Sequence, residues 1–152
     1  VDNVNNPPIL NEYCRGNNIR FLALKMADMK SLYDDTLLLG RLLDRTDQAK
    51  MLCAQIFNDL LQVRSRTAGK KRRRVFLSMS RTPGNLTGLS TVGPGTCLNE
   101  LIEFAGGVNV FNDLSQPYSQ ISKETLLKRR PEIIIEPQIT PTISENKRQQ
   151  LI

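Results

Sequence analysis

From Val75 onward, short apolar runs alternate with stretches whose apolar residues recur every three or four positions. Val75–Met79, Val108–Phe111 and the Ile-Ile-Ile run inside Glu132–Glu136 read as strands. Between them, Thr96 is placed to cap a helix that carries Leu98, Leu101, Ile102 and Ala105 on one face. Gly106-Gly107 should end that helix, because glycine accepts the left-handed conformation found past a helix C-terminus. Ser122 should cap a further helix running through Arg129, and Ser144 a last one. A strand–helix–strand order of this kind predicts an α/β layer with a largely parallel sheet.

The strongest helical pattern lies upstream. Ala49, Leu52, Cys53, Ile56, Leu60 and Val63 keep spacings of three and four, and predict one continuous helix from Asp47, as cap, to about Ala68. At 1.5 Å per residue it would be roughly 30 Å long. Gly69 should stop it. Ser31, with Asp34 three residues on, is expected to begin an earlier helix with Leu32, Leu39 and Leu43 on its apolar face. Ile19–Leu24 reads as a strand, and residues 1 to 18, rich in Asn and Pro, as an irregular lead-in.

Several function classes are excluded by residue types alone. The 152 residues contain no histidine, so neither a Cys/His zinc site nor a Ser-His-Asp triad can be built. Cys14, Cys53 and Cys97 form no Cys-x-x-Cys pair, and Cys53 and Cys97 read as small buried hydrophobes. Gly93-Pro94-Gly95-Thr96 lacks the Lys of a phosphate loop and reads as a turn feeding a helix. Nothing assembles a nucleophile, a base and an oxyanion site, so the chain is not expected to be an enzyme or to carry a cofactor of its own. The net charge of +6 is concentrated in Lys70, Lys71, Arg72, Arg73 and Arg74. No aromatics interleave with that run, so nucleic acid is not the expected partner, and a solvated helix–strand junction is the plainer reading. No run approaches the ~20 apolar residues of a membrane span. No secretory signal pattern is read at the opening Val-Asp-Asn-Val, which is expected to be a processed or truncated start.

Residues 80 to 96 hold three glycine-containing turns, Pro83-Gly84, Thr87-Gly88 and Gly93-Pro94-Gly95. Loops of that length inside a compact domain are usually functional or disordered.

The stretch from Gly95 to Ile135 contains a helix ending Ala105-Gly106-Gly107-Val108-Asn109, then a short strand, then Ser122-Lys123-Glu124 opening a helix, then Arg130-Pro131-Glu132 leading into the Ile-rich strand. This resembles the C-lobe signature of helical-backbone periplasmic binding proteins for cobalamin, haem and ferric siderophores, and weaker agreement extends back to Ile19. The resemblance implies an α/β C-lobe of a two-lobed periplasmic-binding-protein fold with a long interlobe helix. On that pattern residues 1–46 are a remnant of the N-lobe, 47–68 the interlobe helix, and 69–152 a C-lobe truncated at its end. Half of a binding cleft is therefore expected here.

The resemblance also implies a site between the lobes. The loop after Val75–Met79 offers Ser80, Arg81, Thr82, Asn85 and Leu86 to a ligand. Where cobalamin binders place aromatics, this chain has Met79 and Asn85 or Leu86, and Tyr118 matches an aromatic that packs against the corrin. Arg81 would pair with ligand carboxylates or phosphates. Glu124 matches a docking glutamate that faces Arg residues of the permease. The implied function is capture of a metal chelate (a corrinoid first, haem or a ferric siderophore behind it) and its delivery to an ABC permease in the inner membrane. The implied setting is that of a periplasmic or extracytoplasmic lipoprotein. A ligand-blind structural or sensory module on the same fold is the alternative, and a nucleic-acid binder a weaker one. The long helix, deprived of part of its cover, is expected to favour self-association.

Overall fold

In the computed structural model, which describes residues 8 to 82 and 84 to 137, one strand organises the C-terminal half. β1 (Arg73–Ser80) pairs in parallel with β3 (Gly107–Asn109) and with β5 (Ile133–Ile135), the three segments read as strands in the sequence. Two three-residue strands that the sequence pattern does not announce, β2 (Ser90–Val92) and β4 (Tyr118–Gln120), extend the sheet by antiparallel pairing, β2 on β1 and β4 on β2. The sheet order is β3-β1-β2-β4, with β5 also on β1.

Residues 75 to 78 of β1 are all buried, because helices cover both faces of this strand. Side chains alternate across a strand, so Val75 and Leu77 join Val92 and Ile102 in one cluster, while Phe76 joins Leu89, Val110, Phe111 and Leu126 in the other. Ile102 comes from α4 (Cys97–Phe104) and Leu126 from α5 (Lys123–Arg129). Phe76 and Phe111 meet edge to face with ring centroids 5.7 Å apart, and the Arg129 guanidinium lies 5.2 Å over Phe111. Both helices begin at the predicted caps: the hydroxyls of Thr96 and Ser122 accept from the backbone N–H of Asn99 and Thr125.

The Gly-Gly-x-Asn segment has a direct physical account. Gly106 has φ +76°, and a Cβ on Gly107 would sit 2.8 Å from Ile102 Cγ2 and 3.0 Å from Val75 Cγ2. Asn109 is buried and fully engaged. Its Nδ2 donates to the Val92 carbonyl (2.9 Å) and Asn99 Oδ1 (2.8 Å), and its Oδ1 accepts from Phe111 N (3.0 Å). One side chain thus ties β2, α4 and the segment after β3 together.

Upstream lie three helices. α3 (Thr46–Thr67) is the predicted continuous helix, 22 residues long. It differs at its start: Arg45 occupies the cap position without a side-chain bond, and Asp47 lies in the first turn, where a carboxylate complements the helix dipole. α2 (Met29–Leu42) is capped by Asp28 rather than Ser31. Asp28 Oδ1 accepts from Ser31 N (2.7 Å) and Ser31 Oγ from Asp28 N (3.0 Å), so Ser31 is the third residue of a reciprocal capping box. Gly40 brings α2 against α3, since a Cβ there would lie 2.4 Å from Ala49 Cβ.

The lead-in is not irregular throughout, for α1 (Pro8–Gly16) is a helix that buries Cys14. Proline suits a first helical position because its absent N–H would have had no partner there. Ile19–Leu24 forms no strand and pairs with none of the five strands, so its apolar run lacked a ladder to join. Cys97 is half-buried instead of buried, at the first turn of α4, and desolvation followed by the nearby Glu100 pushes its thiol pKa up. The helix expected at Ser144 lies outside the described residues.

The basic run is built into the junction. Arg72 donates to the Gly107 carbonyl, Arg73 to Glu132, and Arg74 to the Arg129 and Arg130 carbonyls. Glu132 also accepts from Arg74 N, and that bond, then Arg73, holds its carboxyl below the ordinary value of 4.5. Among the described residues, no helix is long and apolar enough to cross a membrane.

Candidate functional site

Because β1 and β5 run parallel in the register Leu77↔Ile135, the residues just past each strand emerge at the same edge of the sheet. Arg81 comes directly after β1 and Glu136 directly after β5. Their side chains form a two-point pair there, Arg81 Nε donating to Glu136 Oε1 at 2.8 Å and Nη2 to Oε2 at 3.1 Å. Both are about a third exposed, at 34% and 38%.

The loop beyond Arg81 folds on itself. Thr82 N donates to the Thr87 carbonyl, and Asn85 N to the Thr82 carbonyl. Asn85 Oδ1 accepts from Leu86 N at 2.7 Å. Gly88 has φ +64°, and a Cβ there would press within 3.2 Å of Thr82 Oγ1, so the turn depends on glycine. This loop faces the start of α5 across a groove of about 850 Å³. Arg81, Asn85, Leu86 and Glu124 all line it, joined by Ser122 and Lys123.

The structure therefore brings together four of the eight residues expected from the sequence. Met79, Ser80, Thr82 and Tyr118 do not line this groove. Met79 is the additional residue of a bulge between Ser78 and Ser80, and Ser80 Oγ lies 2.7 Å from Ser90 Oγ. Tyr118 stands on β4 opposite Val92, two positions along from the row Ser80–Ser90–Gln120, and is 58% exposed. Glu124 lines the same groove as Arg81, Asn85 and Leu86. Its own backbone N–H, then the Ser122 hydroxyl, hold its pKa below the ordinary carboxylate range, so it is an anion at neutral pH.

Sequence reasoning missed Lys123 and Glu136. The signal for Glu136 was available, since parallel strands deliver the residues past their C-terminal ends to one edge. Chemically, the groove offers hydrogen-bond donors, acceptors and balanced charges. Among the described residues, no three Cys, Asp or Glu side chains gather as a metal site.

An α/β layer with a polar groove at the ends of its parallel strands is the architecture of a binding lobe. The chain belongs to the periplasmic binding protein family, whose family model matches residues 13–149. It is 33% identical over 89 residues to the vitamin B12-binding protein of Salmonella typhimurium, a match covering 59% of this chain and 32% of that protein. The fold is that of an ABC transporter substrate-binding protein from Listeria monocytogenes (TM-score 0.72, 24% identity, 94% of this chain and 53% of that one). It is also that of S. aureus IsdE complexed with haem (TM-score 0.69, 22% identity, 93% and 54%). The chain thus spans a third of the length of the curated relative and about half that of the solved neighbours.

Proposed function

We propose that this chain is the C-terminal part of a substrate-binding protein of an ABC importer, and that its groove forms one wall of a cleft for a corrinoid or another metal chelate such as haem or a ferric siderophore. Residues 1–46 belong to the N-lobe, α3 joins the lobes, and residues 69–152 form the C-lobe. The protein captures its ligand outside the cytoplasm, does no chemistry on it, and hands it to a permease in the inner membrane.

The observation that carries this reading is the convergence of Arg81, Asn85 and Leu86 with the start of α5 at the C-terminal edge of the parallel strands. Loops at that edge are where open α/β sheets bind ligands. Family membership and the B12-binding relative support the ligand class. Tyr118, outside the groove itself, would add a flat apolar face with a polar tip to the ligand surface. Absorbance titration of the chain with cyanocobalamin, haem and a ferric hydroxamate should give a saturable spectral change with at least one of them. No change with any of the three overturns the reading.

Glu124 has a second role in this proposal, as a permease contact. An exposed carboxylate on a rigid first turn steers association more than it adds affinity. Glu124→Lys should slow association with the permease by more than any change in ligand affinity that follows from its place in the groove lining. Loss of ligand binding with normal permease association would restrict Glu124 to the groove.

A further inference from the structure

We propose that Glu136 sets the ligand selectivity of the groove: by occupying Arg81 it makes the site select a chelate with a neutral, hydrogen-bonding rim, carboxamide or hydroxamate, over one rimmed with carboxylates. The inference rests on the proposed binding function and reverses the simplest expectation for an arginine in such a groove.

A free guanidinium in a partly enclosed groove would attract a ligand carboxylate as a two-point partner. Here that geometry is already taken, with Nε and Nη2 both donating to Glu136. Arginine has five N–H donors, so three remain for a ligand. A neutral carbonyl oxygen can accept from them while the pair stays intact. A ligand carboxylate reaching the same donors would lie against the carboxylate of Glu136, and like-charge juxtaposition of this kind is how a site rejects the wrong partner. The rest of the lining does not restore a positive field. Lys123 is offset by the adjoining Glu124, and Asn85, Thr87 and Ser122 are neutral donors and acceptors. Both members of the pair are about a third exposed, so a ligand can reach them.

The test compares two probes of opposite rim chemistry on the 152-residue chain: cyanocobalamin, whose rim is amide, and haem, which carries two propionates. The wild type should prefer cyanocobalamin. Glu136→Gln keeps a side-chain oxygen for Arg81 but removes the charge, and should raise the ratio of haem to cyanocobalamin affinity about tenfold, a factor that corresponds to ~1.4 kcal/mol. Arg81→Met, which leaves Glu136 uncompensated, should lower haem affinity below that of the wild type, and gives an independent reading should the Gln variant fold poorly by circular dichroism. The haem gain must vanish in the double variant Glu136→Gln/Arg81→Met. A gain that persists there is adventitious haem on apolar surface and overturns the proposal. An unchanged ratio, with cyanocobalamin still bound, overturns the role of Glu136 and leaves the binding function standing. Failure of every form to bind either probe removes both.

Discussion

Two regions of this chain carry equally plain apolar patterns and meet different fates. In the C-terminal layer, β1 is covered on both faces, and Phe76, Phe111, Leu89 and Val92 have at most 1% of their surface exposed. In the pair α2 and α3, only one stripe is covered. Ala49 and Cys53 are buried and Ile56 and Leu60 half-buried, while Leu52, Phe57 and Val63 stay exposed, Phe57 at 56%. An apolar groove of about 440 Å³ runs between those helices, with Tyr33, Cys53, Ile56 and Phe57 in its walls. Periodicity reports that a face wants cover and does not report whether cover is within reach of the same chain. The polar groove arises in the first region because packing of β1 on both faces holds its loops at a common edge.

The contrast between the two regions is tested most severely at Phe111. Phe111→Ala removes a fully buried ring from against Phe76 and Arg129 and should cost about 3–5 kcal/mol, measured by urea denaturation. A cost below about 1 kcal/mol would mean that the layer is not the stable part of the molecule. Asn109→Ala should cost less, about 1–3 kcal/mol, because it strands the Val92 carbonyl, Asn99 Oδ1 and Phe111 N without their partner.

A smaller effect should appear only in acid. The Glu132 carboxyl is held below its ordinary value by Arg74 N and then Arg73, so its contribution is complete above that value and is lost as pH falls through the lowered one. Denaturation midpoints followed from neutral pH downward should therefore decline below about pH 4.5, the ordinary value, and Glu132→Gln should flatten part of that decline. Identical acid profiles for the two proteins would rule out this linkage.

The smallest stability change is expected at Phe57. Phe57→Ser alters an exposed side chain and should move stability by no more than about 0.5 kcal/mol. It should nevertheless weaken self-association at high concentration in analytical ultracentrifugation, since exposed apolar surface drives association. An unchanged sedimentation profile would mean that the helical face is not sticky.

Much of the fold was legible because local physics agreed with the final structure. Thr96 and Ser122 announce α4 and α5 because a hydroxyl that caps a helix does so with its own neighbours. The pattern at 49 to 63 announces α3 because a helix face is a local geometry. The three parallel strands were legible as apolar segments between helices. Illegible elements depended on distant partners. Ser90–Val92 and Tyr118–Gln120 carry no alternation of their own, and become strands only because β1 offers an edge beyond Ser78. Ile19–Leu24 has the composition of a strand and finds no ladder. The choice of Asp28 over Ser31 as cap was open in the sequence, since both residue types cap helices, and the turn from Lys25 to Asp28 decided it: the Lys25 and Met26 backbone N–H groups donate to Asp35.

The site divides along the same line. Sequence by itself determined that a glycine-rich loop comes after β1, that Ser122 and Glu124 open a helix, and that the chain has no histidine. Tertiary structure alone decided that this loop and that helix face each other across one groove, and that Arg81 arrives there already joined to Glu136. Fifty-five positions separate those two residues along the chain. The parallel register of β1 and β5 brings them together, and that register is a backbone pairing between distant segments that has no local signature.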